Sequence, residues 1–119
     1  LGGPEEIKVI EQLKKGYKHL IDTGCDNSII EFAAIVDLCD LVITSDTLAL
    51  HIATALKKKI IALFGPTSVN EIELYGKGVK LVSPAGCKCF YKKYCSEDTS
   101  CMEKITPDMV IEAINTIFN

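Results

Sequence analysis

Two short clusters in this sequence carry residue types suited to holding an anion, and a third carries thiols. Ser45-Asp46-Thr47 lies between an apolar run, Leu41-Val42-Ile43, and a helical pattern that continues to about Lys57. Gly65-Pro66-Thr67 follows a second apolar run, Ile60 to Phe64. The first amides of a helix have no partner inside the helix, and together with the helix dipole they favour an anion such as phosphate. Ser45, Asp46 or Thr47 can cap those amides, and the Thr47 hydroxyl or amide can meet a phosphate oxygen. A carboxylate repels phosphate, so Asp46 is suited to capping amides or to accepting from a sugar hydroxyl. Thr47, His51, Thr54 and Lys58 recur at helical spacing and form a polar stripe, with His51 one turn from the helix start. Leu48, Ile52, Ala55 and Leu56 are expected to form the apolar face. The same residues would also serve as an ordinary helix start with a solvated face.

The thiol cluster is Cys87, Cys89, Cys95 and Cys101, spaced C-x-C-x5-C-x5-C. Four thiolates in one loop suit a tetrahedral Zn²⁺ or an iron–sulfur cluster. The paired C-x2-C spacing of common zinc sites is absent. Disulfides and free buried thiols are the other two readings, and nothing in the sequence indicates export. Cys25 and Cys39 stand alone and are expected to be packing residues.

The elements that must position these clusters follow from apolar periodicity and helix signals. Two β-branched-rich runs joined by one helix read as a βαβ unit with parallel strands. Both strand C-termini then emerge on one edge of the sheet, where ligands of open α/β sheets bind. Ser45-Asp46-Thr47 and Gly65-Pro66-Thr67 are therefore expected to be neighbours facing a cleft. Upstream, Gly3-Pro4-Glu5-Glu6 opens a helix that runs to about Lys15 and stops at Gly16, with Ile7, Ile10 and Leu13 facing the core. Tyr17 to Ile21 reads as a short strand. Ser28 and Glu31 form a capping box for a helix from Ile29 to about Leu38. Downstream, Val79 to Val82 reads as a strand and residues 83–104 as an irregular cysteine-rich loop. Thr106 and Pro107 start a last helix whose apolar stripe is Met109, Val110, Ala113, Ile114 and Ile117.

Composition narrows the function classes. A chain of 119 residues favours one domain, and a net charge of −3 without a basic block disfavours nucleic acid as a partner. All 13 basic residues are lysines, so arginine forks on phosphate are excluded and backbone amides plus lysine must do that work. No apolar run approaches the roughly 18 residues of a membrane span, and no signal peptide is visible. Leu1-Gly2-Gly3-Pro4 lacks an initiator Met and looks like the end of a strand entering a turn. The chain is therefore expected to be a fragment of a longer protein; its expected location is the cytoplasm, with or without peripheral attachment to the inner face of a membrane.

Taken together these segments resemble a known family, the ADP-heptose:lipopolysaccharide heptosyltransferases of glycosyltransferase family 9. Leu1-Gly2-Gly3-Pro4-Glu5-Glu6 looks like its GGxxE segment. Ser45-Asp46-Thr47-Leu48-Ala49-Leu50-His51 resembles its D-T-G-x-x-H motif, with Leu48 standing where the motif has Gly. Phe64-Gly65-Pro66-Thr67 is similar to its GPT loop, and Tyr75-Gly76 to a Tyr-Gly that follows. Cys95, Cys101-Met102 and Ile105-Thr106-Pro107 look like a cysteine-bearing C-terminal segment of many members. The resemblance covers nearly the whole chain. It implies an α/β, Rossmann-like domain, the C-terminal half of a GT-B fold, with residues 1–119 binding the nucleotide-sugar donor. Glu6 would accept from the ribose hydroxyls, and the loop around Cys25 to Ser28, including Asn27, would lie beside the base. Asp46, Thr47 and the amides that follow would meet the sugar diphosphate, with Ser45, His51, Gly65 and Thr67 around it. The catalytic Asp would belong to an N-terminal domain of the same protein, so no catalytic residue is expected in this chain. The implied partners are a nucleotide-diphosphate sugar and a lipid-linked saccharide acceptor. A non-catalytic nucleotide- or metal-binding α/β module is the rival reading.

Overall fold

The computed structural model describes residues 1–92 and 95–119; Lys93 and Tyr94, inside the segment expected to be irregular, lie outside the described residues. The chain divides into two units, Leu1–Leu38 and Cys39–Asn119.

In the first unit a short 3-10 turn, Pro4–Glu6, leads into helix α1, Ile7–Gly16. The turn is held by Glu6, whose Oε2 accepts from the Gly3 amide at 2.6 Å. Helix α2, Ile29–Asp37, starts on the expected capping box. Ser28 Oγ accepts from the Glu31 amide at 3.4 Å, and Glu31 Oε2 accepts from the Ser28 amide at 2.8 Å. No residue of α1 is buried. Ile7 and Ile10 instead line a recess of about 400 Å³ with Pro4, Asp22 and Cys25.

The strand expected at Tyr17 to Ile21 does not form. Leu20 donates to the Tyr17 carbonyl at 3.2 Å, which makes a turn there. Tyr17 and Ile21 are 65% and 83% exposed, so their apolar side chains bury little against the unit. A strand needs a ladder partner, and all three strands of the sheet lie in the second unit.

The second unit is a parallel sheet of β1 (Leu41–Ser45), β2 (Lys59–Phe64) and β3 (Gly78–Val82), in that spatial order. Ser45 pairs with Leu63 and Phe64 with Val82, so the three strands end together. Helix α3, Leu48–Ala55, makes the β1-to-β2 crossover and packs on both strands. Helix α4, Pro107–Phe118, packs on β2 and β3. Strand β2 has neighbours on both sides, and its Ile60, Ile61, Ala62 and Phe64 are buried; a central parallel strand reads as a continuous apolar run for this reason.

The apolar face of α3 differs from the expected one. Leu50 and Ala53 are its buried residues, while Leu48 is 55% exposed and Ala55 is also exposed. The face that packs on β1 and β2 is the one carrying Leu50 and Ala53, and this packing sets the inward stripe. Its end is a Schellman turn: Lys57 adopts φ 58° and donates to Thr54, and Lys58 donates to Ala53. Helix α4 starts as expected, with Thr106 Oγ1 accepting from the Met109 amide at 3.4 Å and Pro107 in the first turn. Ala113 is its buried residue, with Met109, Val110, Ile114 and Ile117 half-buried around it. Among the described residues, no helix is long and apolar enough to cross a membrane.

Candidate functional site

Because β1 and β2 are parallel and in register, the loops that follow them meet at one edge. Ser45, Asp46, Gly65 and Thr67 share a recess of about 220 Å³ there with Leu63 and Met102. Four of the residues singled out from sequence are thus brought together. Thr47 and His51 do not line the recess. His51 connects to it through Asp46: its Nε2 lies 3.9 Å from Asp46 Oδ1. That distance is an ion-pair separation when the imidazole is charged, and too long for a hydrogen bond.

Thr47 is the N-cap residue of α3, but its side chain makes no capping bond. Its hydroxyl faces the Thr44 hydroxyl at 3.1 Å and the Ser45 carbonyl at 3.4 Å. The Thr47 carbonyl receives the amides of Leu50 and His51. The first amides of α3 therefore lack the side-chain cap that the sequence led one to expect, and they face the same edge as the recess.

The second loop is held by the cysteine-rich segment. A Cβ on Gly65 would stand 2.9 Å from Cys101 Sγ and closer still to Met102, so only glycine allows this approach. The Pro66 carbonyl accepts from the Tyr91 amide at 3.0 Å. Tyr91 Oη accepts from the Ser68 amide at 3.2 Å and donates to Glu71 at 3.3 Å. Met102, a wall of the recess, was not singled out by the sequence as a site residue; it lies far along the chain, and only the packing on Gly65 reveals it.

All six cysteines are free. Cys87, Cys95 and Cys101 share a small cavity of about 100 Å³. Among the described residues, no three His, Cys, Asp or Glu side chains form a group that could hold a metal ion. Cys89 is buried and accepts from the amide of Ser96 at 3.2 Å, with the Ser96 hydroxyl 3.3 Å away. These contacts with Ser96 hold the Cys89 thiol below its ordinary value. Burial, and then the neighbouring Cys87 thiol, push Cys101 up.

In the first unit, Glu6 holds the Gly3 amide, and Asn27 Nδ2 donates to the carbonyls of Thr23 and Gly24 at 3.1 and 3.2 Å. Asn27 thereby shapes the loop that carries Cys25.

A parallel α/β sheet flanked by helices, with a recess at the carboxyl edge of its strands, defines a Rossmann-like domain. Residues 2–101 match the model of Glycosyltransferase family 9 (heptosyltransferase), and the chain belongs to that family. The chain is 33% identical over 103 residues to a lipooligosaccharide heptosyltransferase 2 of Campylobacter jejuni subsp. jejuni serotype O:6 (strain 81116 / NCTC 11828), covering 84% of this chain and 30% of the relative. It is 32% identical over 98 residues to the protein of the same name from serotype O:2 (strain ATCC 700819 / NCTC 11168), covering 80% of this chain and 28% of the relative. The chain thus spans less than a third of the length of these curated relatives. No solved structure matches it significantly.

Proposed function

We propose that this chain is the donor-binding, C-terminal part of a glycosyltransferase that moves a heptose or related sugar from ADP-heptose to a lipid-linked saccharide of the lipooligosaccharide type. The family membership and the names of the relatives support the reaction class. The observation that carries the donor-binding role is the recess where Ser45 and Asp46 meet Gly65 and Thr67, beside helix amides that the Thr47 side chain does not cap. Uncapped amides at a helix start are suited to the diphosphate and to the charge that develops on it as it leaves. Asp46, excluded from the phosphate by its charge, takes a hydroxyl of the transferred sugar, and His51 stands behind it. The acceptor and the catalytic base belong to an N-terminal domain of the same protein, which works at the cytoplasmic face of the membrane.

Titration of ADP into the intact protein tests this reading. Saturable binding, with ADP competing against the sugar donor in a transfer assay, is the expected result. An intact protein that ignores ADP would leave only a non-catalytic α/β module.

A further inference from the structure

We propose that Met102, delivered by the cysteine-rich segment, is a specificity residue for the sugar of the donor; the inference rests on the donor-binding reading of the recess. Two kinds of residue line the recess. Ser45, Asp46 and Thr67 are polar, while Leu63, Pro66 and Met102 are apolar. Of the parts of a nucleotide-diphosphate sugar, the diphosphate is charged over its whole surface and gains nothing from a thioether. A sugar ring presents hydroxyls at its rim and C–H groups on its faces, which suits a lining of both kinds.

Asp46 is available for the hydroxyls because the N-cap position of α3 belongs to Thr47. Met102 is available for the C–H face because its position is fixed by the fold. It opens a short 3-10 turn, Met102–Lys104, and its thioether lies directly over Gly65, where no side chain keeps it away. The Ile105 amide closes that turn on the Met102 carbonyl at 3.1 Å. The Tyr91 contacts with Pro66 and Ser68 anchor the same segment to the loop on the other side of the glycine. A flexible, polarizable side chain seated on a fixed backbone can follow the contour of one sugar and lose contact with another.

The test uses the full-length enzyme with ADP-heptose as donor and ADP as the sugar-free competitor. Met102→Ala should raise the KM for ADP-heptose roughly tenfold, the scale of a lost apolar contact in a specificity pocket, while the inhibition constant for ADP stays at the wild-type value. Should Met102→Ala not fold, the near-isosteric Met102→Gln provides the same comparison, with an amide where the thioether met carbon. A donor KM within twofold of wild type overturns the proposal. So does a parallel rise in KM and in the ADP inhibition constant, which would move the contact to the nucleotide. A wild-type enzyme that ADP does not inhibit removes the donor-binding reading itself, and this inference with it.

Discussion

Gly65 and Met102 are packed so closely that a Cβ on the glycine would stand 2.5 Å from the methionine sulfur. Gly65→Ala must displace Met102, and Cys101 behind it, to be accommodated. Overpacking of this kind costs about 1–3 kcal/mol. Chemical denaturation should show that loss in Gly65→Ala, and part of it should return when Met102→Ala is added, because the two changes share one contact. Strictly additive losses would show that the clash is not the cause.

Asp46 and His51 should separate function from stability. Asp46 is not the N-cap residue of α3, and the His51 side chain is 63% exposed. Asp46→Asn and His51→Ala in the full-length enzyme should therefore shift stability by no more than about 0.5 kcal/mol. Sugar transfer should fall at least roughly tenfold in each, the loss expected when a group that orients substrate is removed. Wild-type kinetics in both variants would make the Ser45–His51 segment a structural helix start.

The first unit should be acid-sensitive for a local reason. Hydrogen bonds from the Ser28 hydroxyl and amide hold Glu31 below its ordinary 4.5. The Gly24 amide, and then Lys14, hold Asp22 below its ordinary 3.8. A carboxylate with a depressed folded-state pKa stabilises the fold above its unfolded value, and the contribution disappears as pH falls through the lowered value. Stability should thus be level near neutrality and begin to fall once the pH drops below about 4.5. Glu31→Gln and Asp22→Asn should each be less stable at neutral pH and show a shallower acid dependence in melting curves. An unchanged acid profile would remove these carboxylates from the account.

Tyr91→Phe isolates the anchor of the second loop. The hydroxyl accepts from Ser68 and donates to Glu71, and both bonds vanish with it. The expected cost is about 0.5–1.5 kcal/mol per bond at most, because the side chain is exposed and water replaces the partner. Hydrogen exchange at the Ser68 amide should accelerate, while the β2 amides keep their protection. An unchanged Ser68 exchange rate would show that the hydroxyl does not hold the loop.

Much of the sheet unit was legible because its signals are local. The β2 run Ile60 to Phe64 is apolar at every position, as a strand buried on both faces must be. Ser28 with Glu31, and Thr106 with Pro107, announced two helices through capping chemistry that involves only their own neighbours. The parallel reading of β1 and β2 then brought Ser45 and Asp46 beside Gly65 and Thr67. The errors came where tertiary context decides. Tyr17 to Ile21 has strand-like composition but no ladder partner. The inward stripe of α3 depended on which face met the sheet, and apolar residues lie on more than one side of this helix, so Leu50 and Ala53 could not be told from Leu48 and Ile52. Met102 could not be placed, because nothing in its own surroundings indicates that Gly65 would receive it. The cysteine spacing grouped four thiols along the chain, and three of them, Cys87, Cys95 and Cys101, line one small cavity.

The missing side-chain cap on α3 would tie occupancy to folding if its amides hold an anion as proposed. An anion seated on those amides finishes the helix start that Thr47 leaves open, so ligand and last turn of structure form one equilibrium. A ligand that binds only the folded state, at a hundredfold excess over its Kd, adds about 2.7 kcal/mol of stability. On the donor-binding reading proposed above, the stability gained with the diphosphate would be concentrated at the crossover between β1 and β2. On that reading, loss of the donor would act on this crossover as a local thermal stress does, and proteases would cut the empty protein before the loaded one.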